Sequence, residues 1–586
     1  MLPIVNADVQ DGYYGRYEKN SESGKLEFIP KGKAIYLADI WHNIDDDSIT
    51  LDLYFDYLGI RKNVTVRRDE LINKTAIKEL SKNGADVTTK TADVFIDSIR
   101  KQEEEFYDGG NNPTKVYKGL GWIKTPIIKD GKVVGYNDEY RSTVLIPSGD
   151  AYYVGDYDIA PKGEFTIWKN LILNDVIGYI TLEIVLLTSL AAPVNALLAT
   201  RSPRISPIVH LNFPSSRGKT VAMVMGLSSA GASYEGSKSV YNSNGIIENK
   251  RSLMHSWMAT SNAIISAHLS NFGISVGLNE AGKSLAYDLT QLIFCLGEGN
   301  DKERSTPNQE TKVSKNFCTT FLSTGEDSLL SRCRRRYQGL EVRVFTLEST
   351  LTKNAEHANR IKEVCSQHYG HANPRLVEYI LKMGGYDYIR SIYDAWVEEF
   401  RNMKLTAPNA DRFSEIHYSL FLTTATIATE ALDIPFSIEK IKQFFIEYDK
   451  EKTIVGDVGL RSYKSVLEEV DVNIGNYVKK SAMARGYVAP SNKVYGRVRE
   501  HSYFDENGKK VVKEYEIRPT ILEGILKKYG HPNVKTCSDY WRECGLISCD
   551  SDRPTRSRKI MPNNSKSEDV YVFRVYDNDD AQEDIE

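Results

Sequence analysis

The stretch Leu211-Asn212-Phe213-Pro214-Ser215-Ser216-Arg217-Gly218-Lys219-Thr220 holds the residue types that grip phosphate. Apolar residues 207–211 before it read as a buried strand, and residues 221–226 after it as a helix. Strand, tight loop, Gly-Lys-Thr and helix are the order a Walker A loop needs. In that arrangement the loop Pro214, Ser215, Ser216, Arg217 and Gly218 wraps the phosphates, aided by the helix N-terminus. Lys219 reaches the β- and γ-phosphates of ATP, and the Thr220 hydroxyl meets the Mg²⁺ that ATP carries. The first glycine of G-x-x-x-x-G-K-[ST] is missing, because Phe213 stands there. A bare Gly-Lys-Thr also occurs at ordinary helix starts; the flanking strand and helix favour the nucleotide.

Two later segments could complete such a site. Residues 273–280 form an apolar strand ending in Asn279-Glu280. A Walker B strand ends in Asp-Glu, where the Asp assists the metal and the Glu orients the attacking water. Glu280 fits the water-orienting role, whereas Asn279 replaces the metal-assisting carboxylate by a neutral amide. Phe317-Cys318-Thr319-Thr320-Phe321-Leu322-Ser323-Thr324 is another strand with a polar end. In ring ATPases a polar residue here, such as Ser323, touches the γ-phosphate or the water. A basic run follows, Arg332, Arg334, Arg335 and Arg336, and then Arg343 interrupts an apolar strand. An arginine given to a neighbour's nucleotide contributes ~10³–10⁵ in rate. The run by itself reads as a solvated helix face; Arg343 is the sharper candidate.

The elements that must position these residues belong to a chain of 586 residues with 41% hydrophobic and 26% charged residues. This is globular composition and excludes a fibrous, disordered or disulfide-scaffold protein. Seven cysteines, too sparse for a disulfide framework, suit a reducing, cytoplasmic setting. The net charge of -4 requires any nucleic-acid surface to be local. Residues 171–199 are apolar, but Asp175, Glu183, Pro193 and Asn195 interrupt them. They read as buried core helices, with no membrane role. Residues 1–110 read as a small mixed α/β domain, with strands at 34–38 and 49–55 and helices at 68–83 and 91–102. Residues 111–165 read as a β-rich connector with a hairpin turn at Lys129-Asp130-Gly131-Lys132. An α/β core at 166–350 and a helical lid at 351–455 follow. Residues 456–586 read as a winged helix ending in an acidic, disordered tail from Asp577. Between Lys493 and Arg574 there are 17 Lys/Arg against 12 Asp/Glu. A positive module of helix–turn–helix pattern points to duplex DNA, through the loop residues Arg553, Arg556, Arg558 and Lys559; docking to a protein is the competing reading. His531, Cys537, Cys544 and Cys549 lack the paired spacing of a zinc site.

Taken in order, Ser215 to Thr220, Leu278-Asn279-Glu280, Leu322 to Glu326 and Val342-Arg343-Val344 resemble the self-loading initiator helicases of staphylococcal genomic islands. These are the pathogenicity-island Rep and cassette-chromosome Cch proteins. Gly119-Leu120-Gly121-Trp122 and Pro161-Lys162-Gly163 also resemble that family. The resemblance implies a multidomain α/β fold with a AAA+ P-loop core, similar to minichromosome-maintenance helicases and assembled as a hexameric ring. It implies that residues 300–315 form a hairpin gripping single-stranded DNA through Lys302, Arg304, Lys312 and Lys315. It implies that Arg412, at the start of a lid helix, senses the γ-phosphate in its own or the neighbouring subunit. The expected function is ATP-driven, Mg-dependent DNA unwinding with origin binding, as the replication initiator of a mobile genetic element. A single-stranded-DNA-binding protein is a further candidate partner. Two alternatives stay open: an initiator or regulator using ATP only as an assembly switch, since Phe213 and Asn279 depart from the family pattern, or a AAA+ remodeller of proteins.

Overall fold

The computed structural model describes residues 7–576 except 72–73, 146–150, 215–217, 235, 242–246, 287, 301–315, 334–337, 349–350, 408, 455–457, 481–486, 489–492, 506–507, 532–533, 544–545, 551–552 and 562–565. The acidic segment after Tyr576 therefore lies outside the described residues.

The N-terminal region is built from alternating strands. Ala7–Gln10, Tyr13–Lys19 and Leu26–Lys33 form one antiparallel sheet. Ile35–Asn43, Ser48–Tyr57 and Ile60–Arg67 form the meander of a second. Leu51, Leu53 and Phe55, two residues apart, fall on one face of that sheet. They share a core with Phe95 and Ile99, one helical turn apart on the helix Ala92–Asp108.

The strands of residues 111–165 are shared between two sheets. Thr114–Tyr117 and Ala151–Tyr153 complete the second N-terminal sheet as parallel strands. The expected hairpin, Leu120–Lys129 with Lys132–Arg141, pairs instead with Asn271–Phe272 of the core. Its turn has positive φ at Asp130 and Gly131, as a two-residue hairpin loop requires. At Gly121, φ is +86° and an added Cβ would lie 1.7 Å from the Phe272 carbonyl oxygen. Next to it the Trp122 indole N–H donates to the Pro193 carbonyl at 2.8 Å. The Gly-Leu-Gly-Trp motif is therefore a junction locking the hairpin onto the core.

The central sheet is wholly parallel. Its strands are β1 (Ile208–Asn212), β2 (Met254–Ser256), β3 (Val276–Asn279), β4 (Phe321–Gly325) and β5 (Val344–Leu347), in the spatial order β2-β3-β4-β1-β5. Both faces are covered, which is why the strands are nearly continuous apolar runs. One face packs against helices α1 (Ile180–Ala199) and α2 (Lys219–Leu227) and the lid. The other packs against the helices Ser261–His268 and Thr290–Glu298.

Helix α1 is long and apolar enough to cross a membrane, yet 94% of its apolar window is buried inside the protein. It is the central core helix, with residues 182–198 buried without a break. Inside this helix the Pro193 carbonyl is the one that accepts from the Trp122 indole. The segment from Ala355 to Ile454 is built of helices, and Ser419–Leu432 packs along α1.

In the C-terminal region, α3 (Val458–Val472), α4 (Pro519–Lys528) and α5 (Val534–Glu543) cover one face of a sheet. That sheet holds β6 (Gly496–Asp505), β7 (Gly508–Ile517) and β9 (Glu568–Tyr576), with β8 (Arg556–Arg558) paired to β9. Pro519 opens α4, where its missing N–H costs nothing. The apolar clusters here draw only on residues 463–573, so the region has its own core.

Candidate functional site

Because β1, β3 and β4 run parallel and adjacent, their C-terminal ends meet at one edge of the sheet. Ligands of open α/β sheets bind at that edge. Gly218, between β1 and α2, has φ +85° and an added Cβ would meet the Thr352 side chain at 2.6 Å. Glycine is required there by both backbone and space. It lets α2 start abruptly, with Lys219 and Thr220 in its first turn. The Lys219 ammonium donates to the carbonyls of Phe213 and Pro214. Its pKa is lowered by burial, opposed by the charges of Glu326 and Glu280. Phe213, at the position of the absent first glycine, is buried in the core, and its N–H donates to the Gly325 carbonyl at 3.2 Å. Ser215, Ser216 and Arg217 lie outside the described residues.

Thr220 Oγ1 donates to Asn279 Oδ1 at 3.4 Å. Thr324 Oγ1 donates to the same oxygen at 2.8 Å and accepts from the Glu280 N–H at 2.8 Å. Asn279 thus ties the helix start to the ends of β3 and β4. Glu280 has φ +60°, a conformation that L-residues other than Asn and Asp rarely adopt. Strain of this kind costs ~1–3 kcal/mol and collects at functional sites. The turn leaves the Glu280 carboxylate half-exposed and paired with Lys283. Lys219, Thr220, Asn279 and Glu280 are therefore brought together as the spacing predicts.

Ser323 does not join them, and here the sequence reading is corrected by one residue. Successive strand residues face opposite sides of a sheet. Ser323 is fully buried on the far face, where it accepts from the Trp257 indole N–H at 3.1 Å. Its hydroxyl lies 2.9 Å from His210 Nδ1, while His210 Nε2 lies 3.0 Å from the Asp327 carbonyl. That carbonyl only accepts, so Nε2 carries the proton and Ser323 donates to Nδ1. Burial lowers the His210 pKa to about 4, so the ring stays neutral. Thr324, one residue on, is the polar group at the site. The signal available in the sequence was the period of two: Asn279 and Thr324 share a face, and Ser323 does not. Replacing Ser323 by Ala should strand two buried polar groups and cost about 1–3 kcal/mol. A scanning-calorimetry run should show the core melting earlier, with nucleotide binding retained at lower temperature.

Arg343 and Arg412 lie away from this edge. Arg343 immediately precedes β5, and its carbonyl accepts from the N–H of Ile208 at the start of β1, so it sits at the opposite edge from Lys219. Its guanidinium is buried, bonds Glu298 at 2.9 Å and stacks over Phe294 at 4.7 Å. Burial lowers its pKa; Glu298 opposes this, and nearby Arg412 adds to it. Arg412 is exposed on the short helix Ala410–Phe413, which reaches the same edge. Arg412 is near enough to Arg343 to act on its pKa. Arg332 does approach: it donates to the carbonyl of Ala281, next to Glu280. Arg334, Arg335 and Arg336 lie outside the described residues.

Of the expected DNA-gripping hairpin, Lys302, Arg304, Lys312 and Lys315 lie outside the described residues. The two ends of the segment are paired, through an antiparallel bridge of Asn300 with Asn316 and an N–H of Phe317 donating to Gly299 at 2.8 Å. In the C-terminal region Arg553 bonds Asp569 at 2.9 Å and Asp550 at 3.2 Å. Arg556 also faces Asp550, at 3.5 Å. Both arginines are thus paired with carboxylates of the same region. Arg558 faces Glu516, and Lys559 is exposed. Among the described residues no group of three or more His, Cys, Asp or Glu could hold a metal; Cys544 lies outside them. Thr220 offers the type of hydroxyl that meets Mg²⁺ carried on phosphates, the mode Mg²⁺ commonly takes.

These features define a multidomain mixed α/β protein with a parallel-sheet core and a C-terminal helix–turn–helix module. The chain belongs to the family described as "Domain of unknown function (DUF927)", whose model matches residues 8–316. A second model, "Cch helix turn helix domain", matches residues 457–578. Among solved structures the chain is similar to "SCCmec type IV Cch - active helicase", with 19% identity, coverage of 97% of each chain and a TM-score of 0.62. The resemblance to Cch proteins read from the motifs is borne out by this likeness of fold and by the Cch-type domain. A putative ATPase from Cytophaga hutchinsonii is also matched, over 48% of this chain and 86% of that one, at 12% identity; its TM-score of 0.19 carries no argument. No curated protein matches the chain.

Proposed function

We propose that the chain is an ATP-driven DNA helicase with a AAA+ P-loop core, acting as a ring and as the origin-binding replication initiator of a mobile genetic element. The observation that carries the reading is the meeting of Lys219, Thr220, Asn279, Glu280 and Thr324 at one edge of the parallel sheet. The similar solved structure, named "SCCmec type IV Cch - active helicase", supports it, as does the Cch-type helix–turn–helix domain.

In this reading Lys219 leaves the loop carbonyls for the β- and γ-phosphates of ATP. Thr220 turns its hydroxyl to the ion riding on them. Mg²⁺ supplies charge neutralisation at the phosphates. Glu280 orients the attacking water, held in its turn by Thr324. Thr324 takes the role expected of Ser323. Arg343 and Arg412, at the far edge, can act only on a neighbour's nucleotide, which requires Arg343 to leave Glu298. The paired ends of residues 300–316 suit a hairpin that grips a single strand.

The assembly-switch reading keeps one supporting observation: Asn279 presents a neutral amide oxygen, already engaged by Thr220 and Thr324, where a carboxylate would aid the metal. An ATPase assay with and without single-stranded DNA separates the two. Stimulation by DNA supports the helicase; slow, DNA-independent turnover supports the switch. Thr324→Val should lower turnover ~10²-fold or more while ATP still binds, because Glu280 loses the hydroxyl that fixes its backbone. Fluorescent-nucleotide binding beside phosphate release checks this, and full turnover would remove the role given to Thr324.

A further inference from the structure

The C-terminal sheet has two unlike faces. Val498, Tyr515, Ile517 and Phe573 lie on the face under α3, α4 and α5. On the other face Arg497, Arg499 and His501 of β6 stand beside Glu516, Glu514 and Val512 of β7, with Arg574 of β9 opposite Glu514. The wing strand β8 adds Ser557 and Arg558 at the side, followed by Lys559. Together they line an open groove of about 880 Å³.

Among the described residues that line the groove, five are Lys or Arg and one, Glu514, is a carboxylate. Glu516 is fully buried and lies 2.7 Å from Arg499 and 3.4 Å from Arg558. Glu514 lies 3.2 Å from Arg574 and 3.4 Å from His501. Burial raises the Glu516 pKa, against the charges of Arg499, Arg497 and Arg558. Arg499, Arg558 and Arg574 make these pairs through Nε, and the lining holds more Lys and Arg than carboxylate. Ser557 and Ser567 add neutral hydroxyl donors, and among the described residues no Phe, Tyr or Trp ring lines the groove. Single-strand grooves stack bases on aromatic rings; a groove of cations and hydroxyls suits phosphate oxygens. Four strands at ~4.8 Å spacing make it ~15 Å wide, enough for several phosphates of a duplex at ~3.4 Å rise per strand.

We propose that this open sheet face is a second duplex-DNA surface, which holds the phosphate backbone through Arg499, Arg558, Lys559 and Arg574, on the side of the sheet opposite the helix–turn–helix. It rests on the reading that the C-terminal domain binds duplex DNA, and it extends that reading to a face without recognition helices. The groove adds affinity without sequence preference, because phosphates carry no sequence information.

The test measures duplex binding by the full chain across a salt series. Lys559→Ala with Arg574→Gln should weaken binding to origin and random duplex alike. The log–log salt slope should become shallower by ~0.9 for each phosphate that is no longer neutralised. Arg499→Gln, made together with Glu516→Gln so that no buried carboxylate is left unpaired, should act in the same direction. Circular dichroism verifies folding of both variants. Unchanged affinity and slope in both, with the wild-type chain binding duplex normally, would overturn the groove alone. Absence of duplex binding by the wild-type chain would overturn the parent reading as well. The same variants should also be made without residues 577–586, which hold six acidic residues. If the substitutions matter only in that shortened chain, the groove's occupant is the acidic segment, and the DNA proposal fails.

Discussion

Lys219→Ala should reduce ATP turnover by ~10³-fold or more, to the limit of a phosphate-release assay, while the fold persists. Losing one preorganised donor to a developing charge typically costs ~10²–10³. Lys219 supplies a full charge and also holds the loop shape, so the upper end applies. Its ammonium caps the carbonyls of Phe213 and Pro214, the two residues that begin the loop. Those hydrogen bonds are local and partly exposed, so the stability change should stay within about 0.5 kcal/mol. The measurement pairs steady-state turnover with a thermal melt. Intact turnover in a folded variant would remove the nucleotide reading, and with it the roles given to Glu280 and Thr324. A collapsed melt would mean that the lysine is a packing residue, and Thr220→Val would then serve as the second probe.

The legible parts of this site were those written in local order. Gly218-Lys219-Thr220 follows a strand and opens a helix, and Asn279-Glu280 ends one; each is visible within ten residues of sequence. What is not visible there is which way a side chain faces. Ser323 and Thr324 are both polar and end the same strand, and only the pairing of β4 with β1 decides that His210 and Trp257 enclose Ser323. The same holds for Arg343. An arginine in an apolar strand looks poised for chemistry, yet Glu298 and Phe294 come from another part of the chain to bury it. The hairpin at 129–132 is legible from its turn, while its partner strand, Asn271–Phe272, is far away in sequence and is not. Strands 114–117 and 151–153 are legible as strands but not as members of the N-terminal sheet, because parallel pairing has no local signature. Phe213 shows why a motif can lose a residue and keep its context: its backbone still joins β1 to β4, and its ring fills the core.

Removing residues 457–586 should abolish preference for origin duplex while leaving a folded, nucleotide-binding remainder. The argument starts from packing. Val466, Val470, Leu522, Ile525, Trp541 and Phe573 form a cluster drawn only from this region, and Val478, Ile560, Val570 and Val572 form another. Deleting the region therefore takes away a self-contained core and leaves α1, α2 and the lid cluster intact. The cut falls between Ile454, the end of the last lid helix, and Val458, the start of α3. Lys219, Thr220, Asn279, Glu280 and Thr324 all remain. Specific recognition typically exceeds non-specific binding by ~10³–10⁷, so the loss should be plain in a gel shift comparing origin with random duplex. Single-strand binding should fall far less, since the segment at 300–316 is retained. Turnover should persist, though at a lower rate if the module braces a ring. Should the shortened chain still select the origin, the reader is elsewhere, and the N-terminal sheets, with Arg61 and Lys62 stacked on Tyr54 and Tyr57, become the surface to test.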